Sequence, residues 1–106
     1  MNNFQDIHSE ATTAAKQATQ NCLTTYGESG FCGFAWVDVK VRSNSKLGKA
    51  MLAAGFHKSH KSGVLTLWNP SDWAGQSMAV LEAGAQAYAE VLRHHDIKAR
   101  VGARAD

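Results

Sequence analysis

The sequence predicts a single α+β domain, because the spacing of its hydrophobic residues changes along the chain between two periods. In some segments apolar residues recur every three or four positions, as in helices, and in others every second position, as in strands. The chain has 106 residues, of which 44% are hydrophobic, and this suffices for one core without a disulfide or a metal. No cofactor and no metal is predicted.

The first helix is predicted over residues 3–26. Its apolar stripe has three- and four-residue spacing and consists of Phe4, Ile7, Ala11, Ala14, Ala15, Ala18, Cys22 and Tyr26. Asn3 is a suitable N-cap, Asp6 lies at the positive end of the helix dipole, and Gly27 can end the helix in a left-handed conformation. We therefore assign residues 1–27 to an N-terminal helix that precedes the rest of the domain.

A strand and a short helix are predicted next. The strand, residues 33–41, alternates between a face with Ala35, Val37, Val39 and Val41 and a face with Phe34, Trp36, Asp38 and Lys40. Ser43 or Asn44 would cap the helix and Gly55 would end it. The stripe of this helix is Leu47, Ala50, Met51 and Ala54.

The second half of the chain predicts a hairpin, a long helix and a last strand. Residues 56–60 and 64–68 are short strands around a turn in which Gly63 can take a positive φ. Ser71 and Asp72 would cap a helix ending near His95, and residues 97–101 alternate again. Residues 33–104 thus have the order β-α-β-β-α-β, the split pattern of ferredoxin-like folds, with the N-terminal helix as an addition.

The predicted sheet has two different faces. Both core helices would cover the face with Val37, Val39, Leu65, Leu67, Ile97 and Val101, and the other face would carry Phe34, Trp36, Trp68, Lys98 and Arg100. That second face could be covered by the N-terminal helix or by a second copy of the chain. We expect a small non-enzymatic binding protein, a homodimer, that acts through protein contacts or self-association. The alternative is a single-stranded nucleic-acid-binding protein, because unpaired bases stack on aromatic rings flanked by cations.

The cations are concentrated in the middle of the chain, although the net charge is only +2. Between Val39 and Ser71 there is no acidic residue, and the basic residues are Lys40, Arg42, Lys46, Lys49, Lys58 and Lys61. Such a segment can attract phosphates, and a solvated helix followed by a loop would give the same pattern.

The histidines and cysteines allow a second alternative, a small Cys/His or zinc enzyme. The possible donors are His57, His60, His94, His95, Cys22 and Cys32. On a strand, residues three apart face opposite sides, so His57 and His60 would share a metal only in a turn. Cys32 could be a nucleophile with His57 as its base, but no third orienting group is recognisable.

The N-terminus and the length of the apolar runs indicate where in the cell the protein is expected. The N-terminus lacks the basic head and apolar stretch of a secretory signal, and no apolar run approaches the ~20 residues that span a bilayer. We therefore expect a cytoplasmic protein with free thiols and no membrane contact.

Short motifs are similar to those of a group of viral proteins. They are the segments Cys32-Gly33-Phe34-Ala35-Trp36-Val37, Gly55-Phe56-His57-Lys58-Ser59, Gly63-Val64, Leu67-Trp68-Asn69-Pro70, Gln76-Ser77-Met78 and Arg104-Ala105-Asp106. Together they resemble short uncharacterised proteins encoded by tailed bacteriophages. The resemblance implies a host cytoplasm, and it favours a chain that binds a nucleic acid or a host protein. It implies no catalytic residue.

Overall fold

The computed structural model describes residues 3–28 and 30–106, and these form three helices and a four-stranded antiparallel sheet. The α+β class predicted from the sequence is confirmed. The elements in chain order are α1 Phe4–Tyr26, β1 Gly33–Lys40, α2 Lys46–Ala53, β2 His57–Lys58, β3 Val64–Trp68, α3 Met78–His94 and β4 Ala99–Ala105.

Helix α1 begins and ends as the sequence predicts. The Asn3 side chain accepts a hydrogen bond of 3.0 Å from the backbone N–H of Asp6, which satisfies one of the free donors of the first turn. At the other end Gly27 has φ of 70°, and its N–H donates to the Leu23 carbonyl over 2.9 Å. Both ends of the helix are thus determined by local sequence.

The strands have the order β2-β3-β1-β4, and every neighbouring pair is antiparallel. In the middle of the sheet Trp36 has Trp68 of β3 on one side and Gly102 of β4 on the other. The last strand was predicted at 97–101, but β4 runs from Ala99 to Ala105. Its length is set by pairing with residues 33–39 of β1, which holds residues of low strand propensity in the ladder.

The predicted starts of the two core helices were wrong. The cap of α2 is Ser45, whose hydroxyl accepts from the Gly48 N–H over 3.0 Å, rather than Ser43 or Asn44. Helix α3 begins at Met78 after Ser77, not after Ser71 and Asp72. The hairpin strand β2 is also shorter than predicted, since only His57–Lys58 pairs with β3.

The late start of α3 has a cause in the preceding loop. Asn69 and Asp72 have φ of 48° and 53°, which is the left-handed region and cannot continue into a helix. The Asn69 amide donates to the Trp73 carbonyl over 2.8 Å, and its oxygen accepts from the Trp73 N–H over 3.2 Å. These two bonds close residues 69–73 on themselves, and the segment from there to Met78 is held by backbone bonds to the start of β1.

All three helices share one core with one face of the sheet. The buried apolar residues of this core are Phe4, Ile7, Ala11, Ala15, Ala35, Val37, Val39, Met51, Phe56, Leu65, Leu81, Ala85, Tyr88, Ala89, Leu92, Ile97 and Ala99. Leu67 and Val101 are half-buried against it. The prediction of which strand residues face the helices is therefore confirmed.

Helix α1 packs on the helical layer and not on the second face of the sheet. Its neighbours are α3 and α2. The approach to α3 is close, because a Cβ at Gly84 would lie 2.7 Å from Thr19 Oγ1 and 2.9 Å from Ser71 Oγ. The expectation that the N-terminal helix could cover the second face is thereby corrected.

A buried polar pair joins α1 to α3. His8 Nδ1 and the Tyr88 hydroxyl are 2.7 Å apart, and Phe4 stacks on the His8 ring. Burial lowers the pKa of His8 and raises the pKa of Tyr88. Tyr88 therefore keeps its proton, and Nδ1 of a neutral His8 can accept a hydrogen bond from the Tyr88 hydroxyl.

No helix within residues 3–28 and 30–106 combines the length and the apolar character that crossing a membrane requires.

Candidate binding face

The face of the sheet opposite the helices, here the open face, is defined by the strand register. Residues paired across neighbouring strands share a face, and those two positions along a strand share it again. The open face therefore carries His57 of β2, Val64, Thr66 and Trp68 of β3, Phe34, Trp36, Asp38 and Lys40 of β1, and Arg100, Gly102 and Arg104 of β4.

Three aromatic side chains, the aromatic cluster of Phe34, Trp36 and Trp68, are in contact on this face. The ring centroids of Trp36 and Trp68 are 4.8 Å apart, and those of Phe34 and Trp68 are 6.3 Å apart at a near-perpendicular angle of 87°. Phe34 and Trp68 are 41% and 44% exposed, whereas Trp36 is half-buried. The cluster therefore offers two rings to solvent above a third that supports them.

The position of Trp36 depends on Gly102 and Asp38. A Cβ at Gly102 would overlap the Cε2, Nε1 and Cζ2 atoms of the indole, so the ring lies in the space left by the missing side chain. The indole N–H donates to Asp38 Oδ2 over 3.2 Å, and Asp38 Oδ1 accepts from the Thr66 hydroxyl over 2.6 Å. These contacts fix one orientation of Trp36.

Trp68 is held from the edge of the sheet by a histidine. Its indole N–H donates to His57 Nε2 over 3.0 Å. This bond occupies one ring nitrogen of His57 and fixes the indole relative to β2. Trp68 is therefore an ordered ring, although nearly half of its surface is exposed.

Two shallow depressions lie on either side of Trp68. The first has a volume of about 370 Å³ and includes Lys58, Lys61 and Arg104 in its wall, with Trp36 and Trp68. The second has a volume of about 290 Å³ and extends from Phe34 and Trp68 towards Trp73. Each depression thus combines an aromatic wall with access from solvent.

Cations border the aromatic cluster along both edges of the sheet. On the β4 side the Arg104 guanidinium carbon lies 5.8 Å from the centre of the Phe34 ring, within cation–π range. Arg100 pairs with Asp38 in the register. On the β2 side Lys58 and Lys61 are exposed in the hairpin. Lys58 pairs with Leu65 of the helix-facing side, so it borders the first depression from the edge of the sheet.

The basic residues predicted as one anion-binding segment lie in separate places. Lys40 is at the end of β1 on the open face, and Arg42 is exposed in the loop that follows. Lys46 and Lys49 are on α2, which packs on the other side of the sheet. Of the six, Lys58 and Lys61 line the depression beside the aromatic cluster.

The residues predicted to form a binding surface on the second face do not all lie together. Phe34, Trp36, Trp68 and Arg100 share the open face. Lys98 precedes β4, and it borders a separate hollow with Arg93, Asp96 and Ile97.

The register separates the proposed nucleophile Cys32 from its proposed base His57. His57 pairs with Thr66, which pairs with Asp38, so His57 is level with a residue six positions after Cys32 on β1. Six residues of strand extend ~20 Å. Cys32 instead forms an isolated backbone β-bridge with Ser77, and the His57 ring accepts a hydrogen bond from the Trp68 indole.

The metal donors are likewise dispersed. In the described part of the chain no three His, Cys, Asp or Glu side chains lie close enough together to hold a metal ion. Cys22 and Cys32 are free thiols.

Arg104, Gly102 and the role of His57 are not predicted from the sequence. The alternation of 100, 102 and 104 continues along β4, and extending the strand to Ala105 would have placed Arg104 beside Phe34. The bond between His57 and Trp68 has no signal in the sequence, since it depends on the register of β2 with β3.

Comparison with family profiles, with curated proteins and with solved structures gives no match for this chain.

Proposed function

We propose that this protein is a non-enzymatic binding protein and that the open face is its binding surface. The observation that carries the proposal is that all three helices pack on the other face of the sheet, while Phe34 and Trp68 remain exposed. Large exposed apolar patches on small domains are typical of interaction sites. A second copy of the chain, another protein and a nucleic acid are the possible occupants.

The arrangement of the rings supports a binding role. Two bonds hold the Trp36 and Trp68 indoles, one to Asp38 and one to His57. A surface that is ordered before binding loses less side-chain entropy when a ligand arrives. The distance along the sheet between Cys32 and His57 favours binding over catalysis, because it separates the nucleophile and base that the sequence suggested.

We further propose that residues 33–104 have the ferredoxin-like, split β-α-β arrangement and that α1 is an addition to it. Strands β1 and β2 are each antiparallel to β3, which lies between them, so they are parallel to each other and α2 connects them. Strands β3 and β4 flank β1 in the same way and are connected by α3. A pair of such units supports this classification.

We also propose that the protein acts in a bacterial cytoplasm during phage infection. The support is the resemblance to phage-encoded proteins and the free state of Cys22 and Cys32, which is typical of a reducing compartment.

Site-specific photocrosslinking in the producing cell tests the binding role. Phe34→p-benzoylphenylalanine places the reactive group in the aromatic cluster, and the same replacement of Tyr26, which is 74% exposed at the end of α1, is the matched control. We expect a discrete adduct from position 34 that is absent from position 26 and is lost when Trp68→Ala is added. Its mass distinguishes a second copy, a protein and a nucleic acid. Equal labelling at both positions, or none, would refute the open face as a binding surface.

A further inference from the structure

We propose that the ligand of the open face is a single-stranded nucleic acid, whose bases stack on Phe34 and Trp68 while its phosphates contact four cations, Arg100, Arg104, Lys58 and Lys61. This inference rests on the proposed function, because it names the occupant of the same surface.

The rings have the exposure and order that base stacking needs. Phe34 and Trp68 present 41% and 44% of their surface to solvent. Trp68 is fixed by its bond to His57 and by the Trp36 ring at 4.8 Å. Every nucleobase has a flat π face, so such rings bind single strands with little dependence on sequence. In a duplex the bases are already stacked on each other, so the rings would not reach them.

The cations lie where a strand crossing the cluster would place its phosphates. Lys58 and Lys61 border the rings on the β2 side, and Arg100 and Arg104 border them on the β4 side. A chain that passes over β3 and β1 therefore meets positive charge at both edges of the sheet. Alternating contacts to bases and phosphates are typical of proteins that bind single strands.

Asp38 is the one acidic residue among those that line the first depression, and Asp106 lines the second. Its two carboxylate oxygens accept hydrogen bonds from the Trp36 indole and the Thr66 hydroxyl. The carboxylate thus positions the aromatic cluster from within the sheet. The depression remains cationic at its rim, where Lys58, Lys61 and Arg104 lie.

The same charges disfavour a second copy of the chain as the occupant. Two open faces stacked on each other would bring their cationic rims together, and the acids beside the rings, Asp38 and Asp106, are outnumbered by Lys58, Lys61, Arg100 and Arg104. Pairing two β4 edges about Gly102 would put Arg100 opposite Arg104 of the second copy, because each lies two residues from Gly102. Like charges directly opposite each other destabilise antiparallel pairing. A polyanion with flat bases satisfies both the charges and the rings.

Fluorescence anisotropy with labelled oligonucleotides tests the inference. The probes are a mixed-sequence single strand of about 12 nucleotides, as DNA and as RNA, and a duplex of the same length. We expect the single strands to bind more tightly than the duplex at roughly 50 mM salt. With four cationic contacts the single-strand salt slope is about −2.8, so a fourfold rise in salt weakens binding about 50-fold.

Matched variants locate the binding surface. Trp68→Ala should weaken single-strand binding about tenfold or more, because one stacked base is lost. Tyr26→Ala, which removes an exposed ring at the end of α1, should leave it unchanged. The pair Lys58→Gln and Lys61→Gln should weaken binding and flatten the salt slope.

The control for the Lys58→Gln and Lys61→Gln pair is a variant that loses two positive charges elsewhere on the protein. Lys46→Gln with Lys49→Gln changes the net charge equally, but these lysines are on α2, on the other side of the sheet. We expect this variant to bind as the original protein does. Circular dichroism before and after the substitutions verifies that each variant is folded.

Three results would overturn the inference: no single-strand binding at low salt, equal binding of the duplex, or equal losses from the two lysine pairs. In the first case a protein adduct or a self-adduct from the crosslinker at position 34 would still support the proposed function. Failure of both the oligonucleotides and the crosslinker would remove the proposed function as well.

Discussion

Adding a methyl group at Gly102 should displace Trp36 and loosen the aromatic cluster. Gly102 lies in β4 directly opposite Trp36 with no positive φ, so alanine is compatible with its backbone. A Cβ there would nevertheless overlap three atoms of the indole. The ring can escape by swinging away from the sheet, but it then loses its bond to Asp38 and its contact with Trp68.

The change in the free energy of unfolding is the sum of two opposing effects. Overpacking costs typically ~1–3 kcal/mol, and replacing glycine by alanine at a compatible site stabilises by ~0.4–1 kcal/mol through the unfolded state. Gly102→Ala should therefore lower the free energy of unfolding by ~1–2 kcal/mol. In a Trp36→Ala background the overlap is absent, so the same change should raise it by ~0.4–1 kcal/mol.

A double-mutant cycle measures the difference between these two backgrounds. Urea unfolding followed by far-UV circular dichroism gives the free energies without relying on the indole that is changed. We expect a coupling energy of ~2 kcal/mol between positions 36 and 102. If Gly102→Ala has the same effect in both backgrounds within ~0.5 kcal/mol, the indole does not lie over the glycine and the reasoning is refuted.

Three further predictions concern stability. Trp68→Ala should cost at most ~1.5 kcal/mol in urea unfolding because the ring is half in solvent, whereas Leu92→Ala in the core should cost ~2–5 kcal/mol; equal costs would place Trp68 in the core. Burial lowers the pKa of His8 in the folded protein, so just below pH ~6.5 the His8 imidazole binds a proton mainly in the unfolded state. The free energy of unfolding should therefore fall as the pH drops through this range. That slope should be smaller in His8→Gln, whose amide can still accept from Tyr88, and an unchanged slope would exclude His8 as its source. Asn3→Ala should cost ~1 kcal/mol in thermal unfolding and speed hydrogen exchange in the first turn of α1; unchanged exchange would argue against the cap.

The parts of the fold that local signals determine could be predicted from the sequence. Helix α1 has a cap residue at Asn3 and a terminating glycine at Gly27, and each acts within four residues of its own position. Strand β3 has the predicted bounds Val64–Trp68, between the turn with Gly63 and the loop at Asn69.

The start of α3 could not be predicted because distant contacts decide it. Ser71 and Asp72 have the composition of a helix cap, but the loop is held across the fold by bonds to the start of β1. The Gly33 N–H donates to the Gln76 carbonyl, and the Met78 N–H donates to the Phe31 carbonyl. Such pairing depends on tertiary structure, which overrides a local cap signal.

The membership of the aromatic cluster could be predicted, whereas its surroundings could not. The period of two along β1 and β3 places Phe34, Trp36 and Trp68 on one face whatever the order of the strands. The order of the strands in the sheet determines which cations approach these rings. Lys58 and Lys61 reach them because β2 lies beside β3, whereas Lys46 and Lys49 are carried by α2 to the other side.

Strand β4, whose bounds the sequence predicted poorly, also contributes residues to the centre of the open face. Alanine and glycine lower its strand propensity, and the predicted strand ends at Val101. The same absence of a side chain at Gly102 gives the Trp36 indole its place on the sheet, and the residues two positions away on each side are Arg100 and Arg104. A bulkier residue at position 102 would make β4 easier to predict, but it would displace the ring that supports Trp68. The glycine at position 102, which lowers the strand propensity of β4, is therefore a requirement of the aromatic cluster.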